Sequence, residues 1–270
     1  MKLLEELFGI KIPVIGVVHL QPLPGAPRYV DMSVKEIARR GLEEAKIMAD
    51  NGINGLIVEN FRDMMFNKRA TSETIAAMTY AANEIVSHVH IPIGVCVLQS
   101  DPIAAIAICK AIGGKFVRAP YYTETYIVDA GVMESVAADT LRFRNTINAR
   151  DVKIFADVHI KHGYPLEQRP IEESAEDAYE RGLADAIIVT GRKTGGKTNP
   201  QDVVSVRNYL PEVPLFVGSG VGVNNVREYF PAYADGIIVG TSLKKDGKTE
   251  EPVDPERVKA FVRAVEDCRK

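Results

Sequence analysis

"GRKTGGKT", residues 191–198, meets the nucleotide-binding pattern G-x-x-x-x-G-K-[ST] at every position, and its reading decides between two folds. In a P-loop protein the glycines let backbone N–H groups curl around phosphate, the lysine neutralises charge and the hydroxyl holds magnesium, with both of the last two at the start of a helix. Here the helix opens later. Asn199-Pro200 places a side-chain acceptor at the N-cap and proline at the first helical position, so Lys197 and Thr198 lie ahead of it. The surrounding chain favours the other fold. Short β-branched, apolar runs recur at 13–20 (PVIGVVHL), 55–60 (GLIVEN), 91–98 (IPIGVCVL), 115–120 (KFVRAP), 153–160 (KIFADVHI), 186–191 (AIIVTG), 214–220 (PLFVGSG) and 236–243 (GIIVGTSL). Alanine-rich, charged segments of helical period separate them. Buried strands alternating with amphipathic helices predict a parallel α/β sheet, and this number of βα units predicts one domain over residues 1–270, a (β/α)8 TIM barrel. The string at 191–198 is then the loop after the sixth strand. It is expected to close on a phosphorylated ligand, with Lys193 or Lys197 reaching the charge.

The 270 residues are 46% hydrophobic and 26% charged, enough apolar material for one large core. A formal net charge of −3 supplies no general attraction to nucleic acid or to an anionic membrane, so neither is expected as a partner. Cys96, Cys109 and Cys268 stand far apart without a C-x-x-C spacing, which argues against a disulfide framework or a cysteine zinc site and suits a reducing cytoplasm. The opening MKLLEELFG is acidic where a secretory signal is basic, and no apolar run reaches the length of a membrane span. Barrels of this size commonly assemble symmetrically, and a homo-oligomer is expected.

Helix boundaries are marked in the same way as at Asn199. Ser33 with Glu36 spells a capping box, Asp101-Pro102 and Asp254-Pro255 repeat the N-cap signal, and Asn225 is expected to open a helix after the seventh strand. Gly52 and Gly182 are placed to end helices in the left-handed conformation. Residues 21–31 and 121–133 are longer than usual βα loops and are expected to fold over the barrel mouth.

Barrel active sites lie at the carboxyl ends of the strands, which here carry His19, Glu59, Asn60, Gln99, Arg118, Asp157, His159, Thr190, Ser219, Thr241 and Ser242. On the fifth strand, period two sets Asp157, His159 and Lys161 on one side. A carboxylate beside a histidine can work as an acid/base pair, or join Glu59 or His19 in holding a divalent metal; alternatively the two merely satisfy each other. Glu59 follows a mostly apolar run, so burial can raise its pKa to suit a base. Arg118 is a candidate anion ligand, or the partner of that carboxylate. His88, His90 and His162 read as solvated. After strands seven and eight, Gly218-Ser219-Gly220 and Gly240-Thr241-Ser242 can present backbone N–H groups to a phosphate, with Lys161, Thr190, Lys193 and Lys197 nearby. The string 218–223 is no dinucleotide fingerprint, because Val223 stands where the third glycine belongs.

IGVVHLQPLPGAP (15–27), ADVHIKH (156–162), ADAIIVTG (184–191), VGSGV (217–221) and ADGIIVGTS (234–242) together resemble the BtpA family, named for a link to photosystem I biogenesis and including the SgcQ-type proteins. The resemblance covers nearly the whole chain and implies a barrel of the phosphate-binding kind. The expected activity is acid/base chemistry on a small phosphorylated metabolite, a sugar phosphate or ribosyl compound: isomerisation, epimerisation, or lyase or aldol cleavage. Gly220, Gly240 and Thr241 would hold phosphate, Asp157 and His159 would move protons, and Glu59 and His19 would assist or hold a metal. The alternatives are a metal-dependent nucleotide or nucleoside hydrolase and a non-enzymatic assembly factor.

Overall fold

Segments that are apolar on both faces form strands only where both faces are covered, and a barrel wrapped in helices covers them. In the computed structural model, which describes residues 2–191, 193–230 and 233–269, eight parallel strands pair in chain order and close. They are β1 (Val14–His19), β2 (Gly55–Glu59), β3 (Ile93–Cys96), β4 (Phe116–Ala119), β5 (Lys153–Val158), β6 (Ala186–Thr190), β7 (Leu215–Gly218) and β8 (Gly236–Val239), and β1 pairs with both β2 and β8.

The alternation predicted for β5 holds within the strand. Ile154, Ala156 and Val158 pack outward into the cluster shared with the helices, whereas Phe155 joins the barrel interior and Asp157 follows it on the same side. At the amino end of the strands the interior is solid. Phe155 lies between Phe116 and Phe216, with ring centroids 4.8 and 5.0 Å away, and helix α1 (Lys2–Phe8) closes that end with buried Leu4 and Phe8. Two glycines make room: a Cβ on Gly94 would fall 2.5 Å from the Phe116 ring, and one on Gly236 only 2.2 Å from that of Phe216.

The outer helices begin where the caps predict. The side chains of Ser33 and Asp101 accept from the N–H groups of Glu36 and Ala104, and Asn199 accepts from Gln201. Gly52 takes the left-handed conformation (φ 94°), but Gly182 does not; Leu183 takes it instead, at φ 48°. The absent side chain at Gly182 serves packing, since a Cβ there would lie 2.9 Å from the Tyr122 ring, whose hydroxyl donates to the Gly182 carbonyl. The helix expected from Asn225 is a single 3-10 turn, Val226–Glu228. Asn225 is occupied in the loop: it accepts from the Gly222 N–H and donates to the Gly220 carbonyl.

Of the two long loops, the one after β4 forms a strand pair, Tyr126–Val128 with Gly131–Met133, extended by Gly163–Pro165 from the loop after β5 into a small antiparallel sheet at the mouth. The loop at 21–31 packs to one side, where Leu23 is buried and its N–H donates to Asp63. Among the described residues no helix is long and apolar enough to cross a membrane.

Candidate active site

The inward residues at the carboxyl ends of β1, β2, β4 and β5 meet in one buried charge cluster. Arg118 donates through Nε and Nη2 to both oxygens of Asp157, at 2.8 and 2.9 Å, and through Nη1 to Glu59 Oε2 at 3.3 Å. The other Glu59 oxygen lies 3.9 Å from His19 Nε2. Fork-like pairing of a guanidinium with a carboxylate fixes Asp157 on both lone-pair sides, whereas Glu59 keeps capacity free for a ligand. His19 is buried against the Phe61 ring, and its Nδ1 has no hydrogen-bond partner among the described residues. Burial, reinforced by the positive charges of Lys244, Lys161, Arg62 and Arg118, pushes its pKa well below the usual histidine range. The imidazole is therefore neutral at ordinary pH, able to share a proton but carrying no charge. Beneath Glu59 the Cys96 thiol is held neutral, its pKa raised by burial and by the Glu59 charge.

Lys161 extends into this space from the loop after β5 and donates to Ser219 Oγ at 3.2 Å. Burial brings its pKa down to about 8, helped by the positive charge of Arg118 and opposed by Glu59 and Asp157. With Arg118 and Glu59 it lines a recess of about 40 Å³, walled by Gly218–Val221 after β7, Gly240–Ser242 after β8, and Thr194-Gly195 after β6. Among the described residues, the N–H groups of Gly220, Val221, Thr241 and Ser242 donate to no other atom of the chain. Gly220, at φ 64°, has to be glycine on two counts, because a Cβ would also lie 2.5 Å from the Gly196 and Lys197 backbone.

A second, wider cavity of about 310 Å³ adjoins the first through Glu59, Arg118, Lys161 and Thr194. Its wall is mainly apolar, and Lys193 and His162 stand at its rim. His162 is exposed but not free: its Nε2 lies 2.9 Å from Thr194 Oγ1, tying the loop after β5 to the loop after β6.

Several expected members lie elsewhere. The β5 alternation ends at Val158; His159 has φ 46°, which turns its ring away from Asp157 towards Ser174 (3.3 Å) and Glu124 (3.9 Å). The Asp157–His159 acid/base pair does not form. Lys197 points outward to Glu228, at 2.6 Å, and so does not reach the recess. Thr198, the would-be magnesium ligand of a P-loop, is buried with its hydroxyl donating to the Gly218 and Ser219 carbonyls. Both residues that a P-loop would use are thus committed to holding the loop. Thr190 is buried beside Gly218, and its hydroxyl has no partner among the described residues. The proposed metal donors do not suit a metal either. A guanidinium already stands between Glu59 and Asp157, His159 faces another way, and among the described residues no three His, Cys, Asp or Glu side chains converge on one point.

Phe61, Phe66 and Tyr121, which the sequence reading does not single out, line the wider cavity together with Gln99, which it does name as a strand-end residue. The available signal was position alone: each follows a strand whose end is in the site.

The sequence pattern of the BtpA family matches residues 10–267. An uncharacterized protein of Pyrococcus furiosus is 40% identical over 260 residues, covering 96% of this chain and 97% of that one. The photosystem I biogenesis protein BtpA of Synechocystis is 38% identical over 263 residues, 97% of this chain and 91% of that one. Among solved structures, N-(5'-phosphoribosyl)anthranilate isomerase from Pyrococcus furiosus superposes with a TM-score of 0.60 at 13% identity, over 95% of this chain and 99% of that one. KGPDC from Streptococcus mutans does so with a TM-score of 0.58 at 11% identity, over 97% and 100%. At these identities the structural likeness establishes the (β/α)8 barrel and nothing finer.

Proposed function

The chain belongs to the BtpA family, and from that premise we propose that it is an enzyme of the cytoplasm that binds a small phosphorylated metabolite and rearranges or cleaves it by proton transfer. One observation carries the reading: the glycine-rich turns after β7 and β8, with N–H groups left unpaired, share a recess with Lys161, Arg118 and Glu59. Unpaired N–H groups and two cations favour an anion, and glycines allow it to approach the backbone. One of the two solved barrels is named for a phosphoribosyl compound, which adds support from fold-level likeness.

Proton transfer falls to Glu59 and Lys161. Glu59 has an oxygen facing the neutral His19 ring rather than a cation, so it can take a proton from the substrate and give it back at another atom, with His19 shaping the wall beside it. Lys161, near neutrality and beside the recess, can return one or hold an oxyanion. Arg118 and Asp157 position the cluster. This suits isomerisation, epimerisation or a retro-aldol cleavage, each of which begins at a carbon next to an oxygen function. No step needs a metal.

Thermal unfolding against sugar phosphates and their dephosphorylated counterparts tests the proposal, since a ligand of the native state raises the midpoint. Phosphorylated compounds alone should shift it, and Thr241→Asp, which adds a negative charge to the recess wall, should abolish the shift. Equal shifts from both compound sets would end the phosphate reading. A ligand that binds but turns over equally well with Glu59→Gln would end the catalytic one.

A further inference from the structure

The wider cavity says what the phosphate is attached to. Its wall is formed by Phe61, Met64, Phe66, Leu98, Tyr121 and Ile160, and it opens into the recess through the very residues proposed to do the chemistry. An apolar cavity of about 150 Å³ accepts a benzene ring, so about 310 Å³ holds one ring or two fused rings with room for a linker. A plain sugar phosphate leaves such a wall in contact with water.

Gln99 adds a polar requirement. It is only 5% exposed, its Nε2 donates to Asp129 Oδ1 at 2.8 Å, and its Oε1 is buried with no donor among the described residues. A carboxylate only accepts, so the amide orientation is fixed with the nitrogen towards Asp129 and the oxygen left over. Gln99 lines the same cavity. A buried acceptor without a donor asks for an N–H or O–H on whatever fills the space.

We infer that the substrate is a phosphate ester joined to a planar aromatic or heteroaromatic ring bearing a hydrogen-bond donor. The phosphate occupies the glycine recess, the ring lies against Phe66 and Leu98 with its donor on Gln99 Oε1, and the reacting carbon spans the junction at Glu59, Arg118 and Lys161. This inference rests on the phosphate reading, and the test separates the two.

Titration calorimetry of the full chain compares ribose 5-phosphate, phenyl phosphate, AMP, UMP and adenosine as probes. At least one ring-bearing phosphate should bind tenfold or more tightly than ribose 5-phosphate. Phe66→Ala should reduce that preference to within about threefold while leaving ribose 5-phosphate unchanged, and Gln99→Met should weaken AMP and UMP but not phenyl phosphate. If ribose 5-phosphate binds as well as every ring-bearing compound, the ring is refuted and the phosphate recess stands. If adenosine binds as well as AMP, the recess is refuted and the ring cavity stands. Failure of all five probes overturns both.

Discussion

Replacing Arg118 by methionine would strip Glu59 and Asp157 of the guanidinium that both contact and leave only the more distant Lys161 as counter-charge. The Arg118, Glu59 and Asp157 side chains are 6%, 4% and 0% exposed, so solvent cannot take over the guanidinium's work. Removing one partner of a buried ion pair typically costs about 3–5 kcal/mol, because the charge that remains is desolvated and unpaired. At about 2–4 °C per kcal/mol for a domain of this size, the midpoint should fall by roughly 6–20 °C. Thermal unfolding of Arg118→Met at pH 7 measures that shift, and urea unfolding the free energy. The cost should belong to the stranded charges rather than to lost packing, so Arg118→Met combined with Glu59→Gln and Asp157→Asn should recover most of the loss. A single variant that loses under about 1 kcal/mol, or a triple variant no more stable than the single, would refute the picture of a sealed cluster. The site would then be wet, and the availability of Glu59 would need another explanation.

Above the phosphate's own second pKa of about 6, affinity should level off and then fall above about pH 8 as Lys161 loses its proton, and Lys161→Met should remove the alkaline break; titrations from pH 6 to 10 read both. The sign for stability is opposite. Because folding lowers this lysine's pKa, the unfolded chain binds more protons between about 8 and the usual lysine value, so Lys161 makes stability rise with pH across that window. Gly220→Ala should lower both the unfolding midpoint and phosphate affinity, with the left-handed backbone alone costing about 1–2 kcal/mol, whereas Gly222→Ala, whose Cβ would make only a 3.4 Å contact with Ser242, should leave the midpoint unchanged. Turnover should fall by about 10²–10⁴ in Glu59→Gln and survive in His159→Ala, whose ring faces Ser174 and Glu124; a His159→Ala loss as large as that of Glu59→Gln would restore the histidine to the proton path.

The barrel was readable because its strands are covered on both faces, which leaves near-continuous apolar runs, and because Ser33, Asp101 and Asn199 cap helices by local hydrogen bonds. The inward carboxylates and Arg118 were readable for the same reason, as polar residues at strand ends. What failed lay beyond the last paired residue. Period two carries no information once the strand ends, so it sets His159 beside Asp157 although the left-handed backbone turns that ring away, while Lys161, two residues later, reaches the site. Lys197 looked free because its partner, Glu228, is 31 residues away. Asn225 has helix-capping chemistry but uses it on Gly220 and Gly222, so the expected helix shrinks to one turn. The match to the P-loop pattern was the reverse case: every letter was right, and Thr198 uses its hydroxyl to tie two loops together.

The aromatic floor under the charge cluster has a kinetic corollary. With Leu4, Phe8, Phe116, Phe155 and Phe216 filling the amino end, the barrel is a blind tube, and every molecule that enters must leave by the same door. Product still lodged at the mouth bars the next substrate outright. Inhibition by product should therefore be competitive with substrate, and where cleavage yields two fragments they should depart in a fixed order.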